Sequence, residues 1–264
     1  CNARYMDEVE RVLYNNVLTG VSLSGDKYTY QNPLNTDKPD RWEWHVCPCC
    51  PPMFLKIMAA MPGYIYAYQG DNVYVNLFIG SEVRIPVGDN SVRLKQLTSY
   101  PWHGAVSIQV NPDKASTFSM KVRIPGWAQG TENPYDLYQS NLKAPVKLKV
   151  NQEDVLLRIV DGYAEINREW KKGDHIELEL PMQPRLITAN KAVENLRGQV
   201  ALASGPIIYC FEDADNPELQ TFKLQAQTPL ELSHDSNLLN GVNIIKCQGD
   251  IPAKAIPYYA VANR

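Results

Sequence analysis

Long apolar runs are missing from this 264-residue chain: none approaches the roughly 20 residues that a membrane-spanning helix needs. No bilayer span is therefore expected. The chain does not open on a charged n-region followed by an apolar h-region. Lys and Arg nowhere form a run interleaved with aromatics, and a formal net charge of −3 supplies no basic field for a phosphate backbone. Nucleic acid is excluded as an expected partner. Internal repeats and low-complexity linkers are also lacking, so the parts of the chain are expected to pack directly against one another.

What is present is ordinary globular composition, 44% hydrophobic and 21% charged, enough for one large or two smaller cores. Residue 1 is Cys rather than Met, and Ala3 to Leu18 already reads as a helix with Tyr5, Val9, Val12, Leu13 and Val17 on one apolar stripe. No N-cap precedes it. The chain is expected to begin inside an element. A lipid-bearing leading Cys is the other reading, but a polar tether rather than an immediate amphipathic helix would be expected after it. At the far end "AIPYYAVANR" has strand-like content and no closing turn, so the chain is also expected to stop early.

The period of the hydrophobic pattern changes near Gly63. Before it, "PMFLKIMAAM" at 52 to 61 reads as a second helix, with Pro52 at a position that needs no backbone donor. After it, strands dominate. "YIYAYQGDNVYVNLFIG" gives two arms around Gly70-Asp71-Asn72, a hairpin signal. Alternation places Phe118, Met120, Val122 and Ile124 on one face, as it does Val146, Leu148 and Val150, and Ile176, Leu178 and Leu180. Short strands between Asn-Pro-Asp, Asp-Gly and Lys-Gly-Asp turns imply antiparallel sheets with one buried face each. The expected fold is mainly β, with two antiparallel β-sandwich regions divided near Pro181 to Pro184.

The densest chemistry lies in "HVCPCCPPM", residues 45 to 53, which holds three of the six cysteines. Buried inert thiols are one reading, since free Cys often behaves as a small hydrophobe. Disulfides are a second, but Cys49 and Cys50 could join only through a strained ring, and Cys210 and Cys247 are far away in sequence. Metal binding or nucleophilic catalysis is the third. The spacing is not that of a structural zinc knuckle, and no second close Cys or His pair lies downstream to complete a tetrahedral site. Pro51-Pro52 stiffens the backbone and leads into the helix, and a thiol just before a helix N-terminus is favoured as thiolate. That placement suits a nucleophile or a ligand.

Together with its flanks this segment resembles the β-L-arabinofuranosidases, glycoside hydrolase family 127 and its relatives. The resemblance runs through "YMDEVERVLYN" at 5 to 15, "GVSLSGDKYTYQNPL" at 20 to 34, "CPCCPP" at 47 to 52, "YPW" at 100 to 102, "VRIPGWA" at 122 to 128, "DGYAEINREWKKGD" at 161 to 174, "GPIIYC" at 205 to 210 and "IPYYAVANR" at 256 to 264. The Cys-x-Cys-Cys-Pro-Pro core is specific, and the weaker strand motifs follow in the right order. The resemblance implies a retaining glycosidase with a zinc-bound cysteine thiolate as nucleophile. It makes Cys49 the nucleophile and Cys49 with Cys50 thiolate ligands of zinc, while Cys47 matches a family Cys to which no role is assigned. It makes residues 1–63 the last helices and cysteine loop of a truncated (α/α)-barrel catalytic domain, 64–182 a first β-sandwich and 183–264 a second, incomplete at its end.

The family's two other zinc ligands, a Glu and a Cys of a Glu-x-Cys motif, lie upstream of "YMDEVERVLYN", as does its acid/base Glu. The zinc site is thus incomplete here, no acid/base residue is expected in this chain, and Glu8, Glu10 and Glu43 are not substitutes. The fragment alone is expected to be inactive. Met53 stands where the family commonly has Asn, and Lys56 where it often has Arg, which marks a divergent subgroup.

Tyr30 matches a family Tyr near the nucleophile, and His45 and Trp44 are further candidates for binding the sugar; aromatic packing or an ordinary hydrogen-bonded imidazole are the alternatives for these three. Trp42 has the same two readings. Trp102, Trp127 and Trp170 are expected in packing, and His103, His175 and His234 are assigned nothing. The expected partners are a glycan substrate, the missing N-terminal part of the same protein and, as one option, a second copy in a homodimer. The compartment stays open, with a bacterial periplasmic or secreted setting slightly favoured; free thiols suit a reducing or metal-protected one. The rival from another class is a non-catalytic carbohydrate-binding or scaffolding module.

Overall fold

The computed structural model describes residues 1–264 except 32–35, 37–39, 46–48 and 143. The chain divides into two compact units: residues 1–8, 60–135 and 143–182 form one, and residues 9–59, 136–142 and 183–264 the other. The fold is mainly β. No helix among the described residues is long and apolar enough to cross a membrane.

The first unit is built from a six-stranded and a five-stranded sheet. Asn90–Thr98, Ala105–Pro112 and Asp174–Glu179 are neighbours in the larger sheet and bury Val92, Leu94, Val106, Ile108, Val110, Ile176 and Leu178 on one face. Ser116–Arg123 and Tyr163–Trp170 pair antiparallel in the smaller sheet and bury Phe118, Met120, Val122, Tyr163, Ile166 and Trp170. The two-residue period that the sequence displays is thus the burial pattern of the strands. Tyr66–Gln69 and Asn72–Val75 form the hairpin expected around Gly70, which adopts φ +57°.

One pair departs from the antiparallel expectation. Asn72–Val75 lies parallel to Ser116–Arg123. Between them the chain passes through three strands of the other sheet, and a crossover of that length lets the return strand run in the same direction. Arg123 is fully buried in this unit: it donates to Asp7 Oδ1 at 2.6 Å and to the Asn76 carbonyl, while Tyr163 donates to Asn76 Oδ1 at 2.8 Å. A buried guanidinium is tolerated because its fork is satisfied on both sides.

The second unit holds a seven-stranded antiparallel sheet, in which Val242–Cys247 and Ala253–Pro257 are interior neighbours. Val242, Asn243, Ile244 and Ile245 are buried in succession, so both faces of that strand are covered. The helix Arg4–Val12 continues through a π-turn, Leu13–Val17, into a 3₁₀ turn, Leu18–Gly20. The stripe expected from the sequence is not the one observed, and the wider turn shifts the buried face only downstream of Val12. Leu13, Tyr14 and Asn15 are buried, whereas Tyr5 and Val12 are exposed. Asn15 docks this segment on the sheet by donating to the Pro206 carbonyl at 2.8 Å and accepting from Ile208 N at 2.7 Å.

Candidate active site

Within the second unit, Lys27–Tyr28 and Trp42–Glu43 pair antiparallel, with Tyr28 opposite Trp42. The base of this pair is fixed by Arg41, a buried guanidinium that donates to the carbonyls of Thr19 at 2.8 Å, Val261 at 2.9 Å and Tyr259 at 3.1 Å. Burial draws its pKa below the ordinary arginine value, and the nearby Glu212 charge opposes that shift. Thr29 Oγ1 adds a further bond to the Thr19 carbonyl at 3.0 Å. Three carbonyls converging on one side chain explain why a two-residue ladder holds its place.

Aromatic side chains collect on this support. Tyr28 is buried, meets Trp42 edge to face at 6.2 Å, and its hydroxyl lies 2.5 Å from His45 Nε2. Tyr30 stacks on Trp42 at 5.1 Å with only 11° between the ring planes, and both rings are exposed. Trp44 is exposed as well. An exposed, nearly parallel stacked pair keeps an outer ring face of the kind on which the C–H side of a sugar packs.

The described chain resumes at Cys49, directly before the helix Cys50–Ala60. The helix starts two residues earlier than the sequence pattern implied, so Cys50 is its first residue and Cys49 its flanking residue. The two sulfurs stand 3.8 Å apart, and both thiols are free. A vicinal disulfide is thereby excluded in this structure, because bonded sulfurs lie about 2.05 Å apart. Burial first, and then the adjacent Cys49 sulfur, hold the Cys50 thiol above its ordinary pKa.

The pair fits two corners of a zinc site. Sulfurs each about 2.3 Å from one tetrahedral ion stand about 3.8 Å apart. Among the described residues no group of three or more His, Cys, Asp or Glu is placed to hold a metal. Among the described residues the donors at this point are the two thiols. Cys47 lies outside the described residues.

The structure thus brings Tyr30 into a stack with Trp42 and His45 into a hydrogen bond with Tyr28, and keeps Cys49 adjacent to Cys50. Sequence reasoning passed over Tyr28 and Arg41. Tyr28 could have been found from the Tyr-x-Tyr spacing of "YTY", and Arg41 carried no signal, because its carbonyl partners lie more than 200 residues away or in an unrelated turn.

Comparison with known proteins gives the family. The family model described as the catalytic domain of β-L-arabinofuranosidase, GH127, matches residues 1–63. The GH127 middle domain matches 72–182, and the glycoside hydrolase family 127 C-terminal domain matches 184–264. A non-reducing end β-L-arabinofuranosidase of Bifidobacterium longum subsp. longum is 31% identical over 94% of this chain, which spans 38% of that protein. A solved GH127 β-arabinofuranosidase superposes with a TM-score of 0.93 at 37% identity, over all of this chain and 44% of the other. The GH127 β-L-arabinofuranosidase of Geobacillus stearothermophilus T6 gives 0.90 at 34% identity, over all of this chain and 45% of the other. The chain spans less than half the length of each of these relatives.

Proposed function

The chain belongs to glycoside hydrolase family 127, and from that membership we propose that it works as the C-terminal part of a retaining glycosidase acting on β-L-arabinofuranosides or related glycans. The observation that carries the reading is the 3.8 Å separation of the Cys49 and Cys50 sulfurs at the start of a helix. Cys49 and Cys50 would hold zinc, which when bound keeps both thiols deprotonated at neutral pH. The other ligands and the acid/base group would come from residues outside this chain.

In the proposed reaction the Cys49 sulfur attacks the anomeric carbon, and the bond from that carbon to the glycosidic oxygen breaks. The departing oxygen takes a proton from the acid group. Water then attacks the same carbon while giving its proton to the conjugate base of that acid group, the carbon–sulfur bond breaks, and Cys49 leaves as the thiolate. Two inversions give net retention, and sulfur does what a second carboxylate does in most retaining enzymes. Cys50 holds its neighbour in place, the Tyr30–Trp42 stack packs against the sugar ring, and His45, oriented by Tyr28, donates to or accepts from a sugar hydroxyl.

The test is metal content and turnover in a protein of full family length that carries this chain. About one zinc per chain is expected, lost when Cys49 and Cys50 are both changed to Ser, together with hydrolysis of an aryl β-L-arabinofuranoside. Full hydrolysis by the double variant would refute the proposal.

A further inference from the structure

Tyr28 and Tyr30 both meet Trp42, so the three rings share one side of the two-stranded ladder, and Thr29 and Arg41, the residues beside them, turn to the other. Thr29 and Arg41 meet at a single atom. The Thr19 carbonyl oxygen accepts from Thr29 Oγ1 at 3.0 Å and from Arg41 Nη1 at 2.8 Å, one bond for each of its lone pairs. That residue is itself anchored. Thr19 Oγ1 donates to the Asn15 carbonyl at 2.6 Å, and the Asn15 amide is bonded at Pro206 and Ile208 to the hairpin of Val200–Ser204 and Ile207–Phe211. The segment carrying Tyr28 and Tyr30 and the segment carrying Trp42 therefore take their spacing from one fixed point.

The rest of the Arg41 fork reaches the turn Tyr258–Ala260 and the residue after it. Nη2 donates to the Tyr259 carbonyl at 3.1 Å, and Nε to the Val261 carbonyl at 2.9 Å. Glu212, which directly follows the strand Ile207–Phe211, holds the far side of this segment by accepting from Ala262 N at 2.8 Å and from Arg264 Nη2 at 2.5 Å. Asn263 donates to the Ala260 carbonyl at 2.8 Å and accepts from Leu23 N at 2.8 Å, so the same segment grips the loop ahead of Tyr28. A continuous path thus runs from Glu212 at the sheet, through residues 259 to 262 and Arg41, to Trp42.

We propose that Arg41 and Glu212 are positioning residues of the active site, which hold the Tyr30–Trp42 stack at the spacing that the sugar ring uses. Two observations call for such a brace. Both rings are exposed, so packing around them does not set their geometry, and a two-residue ladder is marginal by itself. Their planes nevertheless lie within 11° of each other at 5.1 Å. An arginine suits the task because its planar fork fixes three carbonyls at once, which a lysine ammonium on a flexible stem does not. The use of the stack by a sugar rests on the glycosidase reading; its bracing by Arg41 and Glu212 does not. The seven-stranded sheet then serves the site as the fixed floor under its sugar platform.

The test uses a protein of full family length that carries this chain, labelled with fluorotyrosine, the Tyr30 resonance being the one that Tyr30→Phe removes. The stack contacts the sugar ring and not the bond that breaks, so its displacement removes binding common to ground and transition states. Arg41→Lys and Glu212→Ala are each expected to raise KM about fivefold with kcat within about twofold, and to move the Tyr30 resonance toward its position in Trp42→Ala. Glu212→Gln keeps an acceptor for Ala262 N and is expected to hold KM within about twofold of the unaltered protein. Thr29→Val loses one bond at the Thr19 carbonyl and keeps its shape, so it reads the brace even where Arg41→Lys fails to fold; a rise in KM of about threefold is expected. A normal KM and an unmoved Tyr30 resonance in Glu212→Ala and Thr29→Val would overturn the proposal, whatever stability these variants lose. A moved resonance with KM normal in both, and in Trp42→Ala, would overturn it too, and would place the fault in the sugar contact rather than in the brace. Neither result bears on Cys49, which is read from metal content and turnover.

Discussion

The hydroxyl of Tyr28 and Nε2 of His45 share a hydrogen bond of 2.5 Å. Tyr28 is buried, so the imidazole is oriented by a ring held in packing. If His45 contacts substrate, Tyr28→Phe should lower kcat/KM about fivefold in the full-length enzyme, the worth of about 1 kcal/mol for one positioning hydrogen bond, with little change in stability. A double-mutant cycle provides the check: the losses from Tyr28→Phe and His45→Ala should be far from additive, and simple addition would deny the link.

Asn15 occupies the π-turn that shifts the first helix, and both ends of its amide are used, on Arg11 and Pro206 as donor and on Ile208 as acceptor. Asn15→Leu would leave the Pro206 carbonyl and the Ile208 amide unmet. A loss of about 2–3 kcal/mol is expected, measured by denaturant unfolding. Asn15→Asp should not recover it, because a carboxylate still accepts from Ile208 but sets an oxygen against the Arg11 and Pro206 carbonyls.

Gly104 lies where two chain segments nearly touch. A Cβ there would sit 2.0 Å from the Leu180 carbonyl oxygen and 3.1 Å from Met182 Cγ, while Leu180 N donates to the Gly104 carbonyl at 3.0 Å. Neither backbone can retreat without breaking that bond. Gly104→Ala should therefore destabilise the chain by about 3 kcal/mol, visible as a lower thermal midpoint. Gly173→Ala serves as the control, since nothing lies within 4 Å of its added carbon, and only its φ of +94° is strained.

Asp215 gives a pH dependence. Burial alone would raise its pKa, but hydrogen bonds from Arg264 and from Lys254, the latter at 2.6 Å, outweigh it and hold the carboxyl below its usual value. A depressed folded pKa adds stability that is present above the unfolded value, about 3.9, and is lost as the pH falls through the folded one. Stability should therefore decline on acidification below about pH 4. Asp215→Asn should flatten that decline and cost about 2 kcal/mol near neutrality.

The strands were legible because one face of each is buried, which writes a period of two into the sequence. Phe118, Met120, Val122, Ile124, Ile176, Leu178 and Leu180 are all buried where alternation places them. Trp127 and Trp170 are buried as expected of packing residues. At the start of the chain the apolar stripe was misread: Tyr5 and Val12 are exposed and Glu10 is buried, and beyond Val12 a π-turn that no composition signal marks adds a residue to the repeat. The parallel strand pair escaped because register between distant strands is set by the crossover, not by local pattern. At the site, the cysteines announced themselves by density and by the prolines around them. Arg41 and Tyr28 did not, since their meaning comes from carbonyls and rings that only the fold brings near.

The central claim is that sulfur at position 49 forms the bond to sugar. The most direct measurement is mass-spectrometric localisation of the adduct left by an arabinofuranosyl electrophile on the full-length enzyme. The account predicts a single glycosyl adduct on Cys49, absent after Cys49→Ser. An adduct on any other side chain, with Cys49 unmodified, would contradict it.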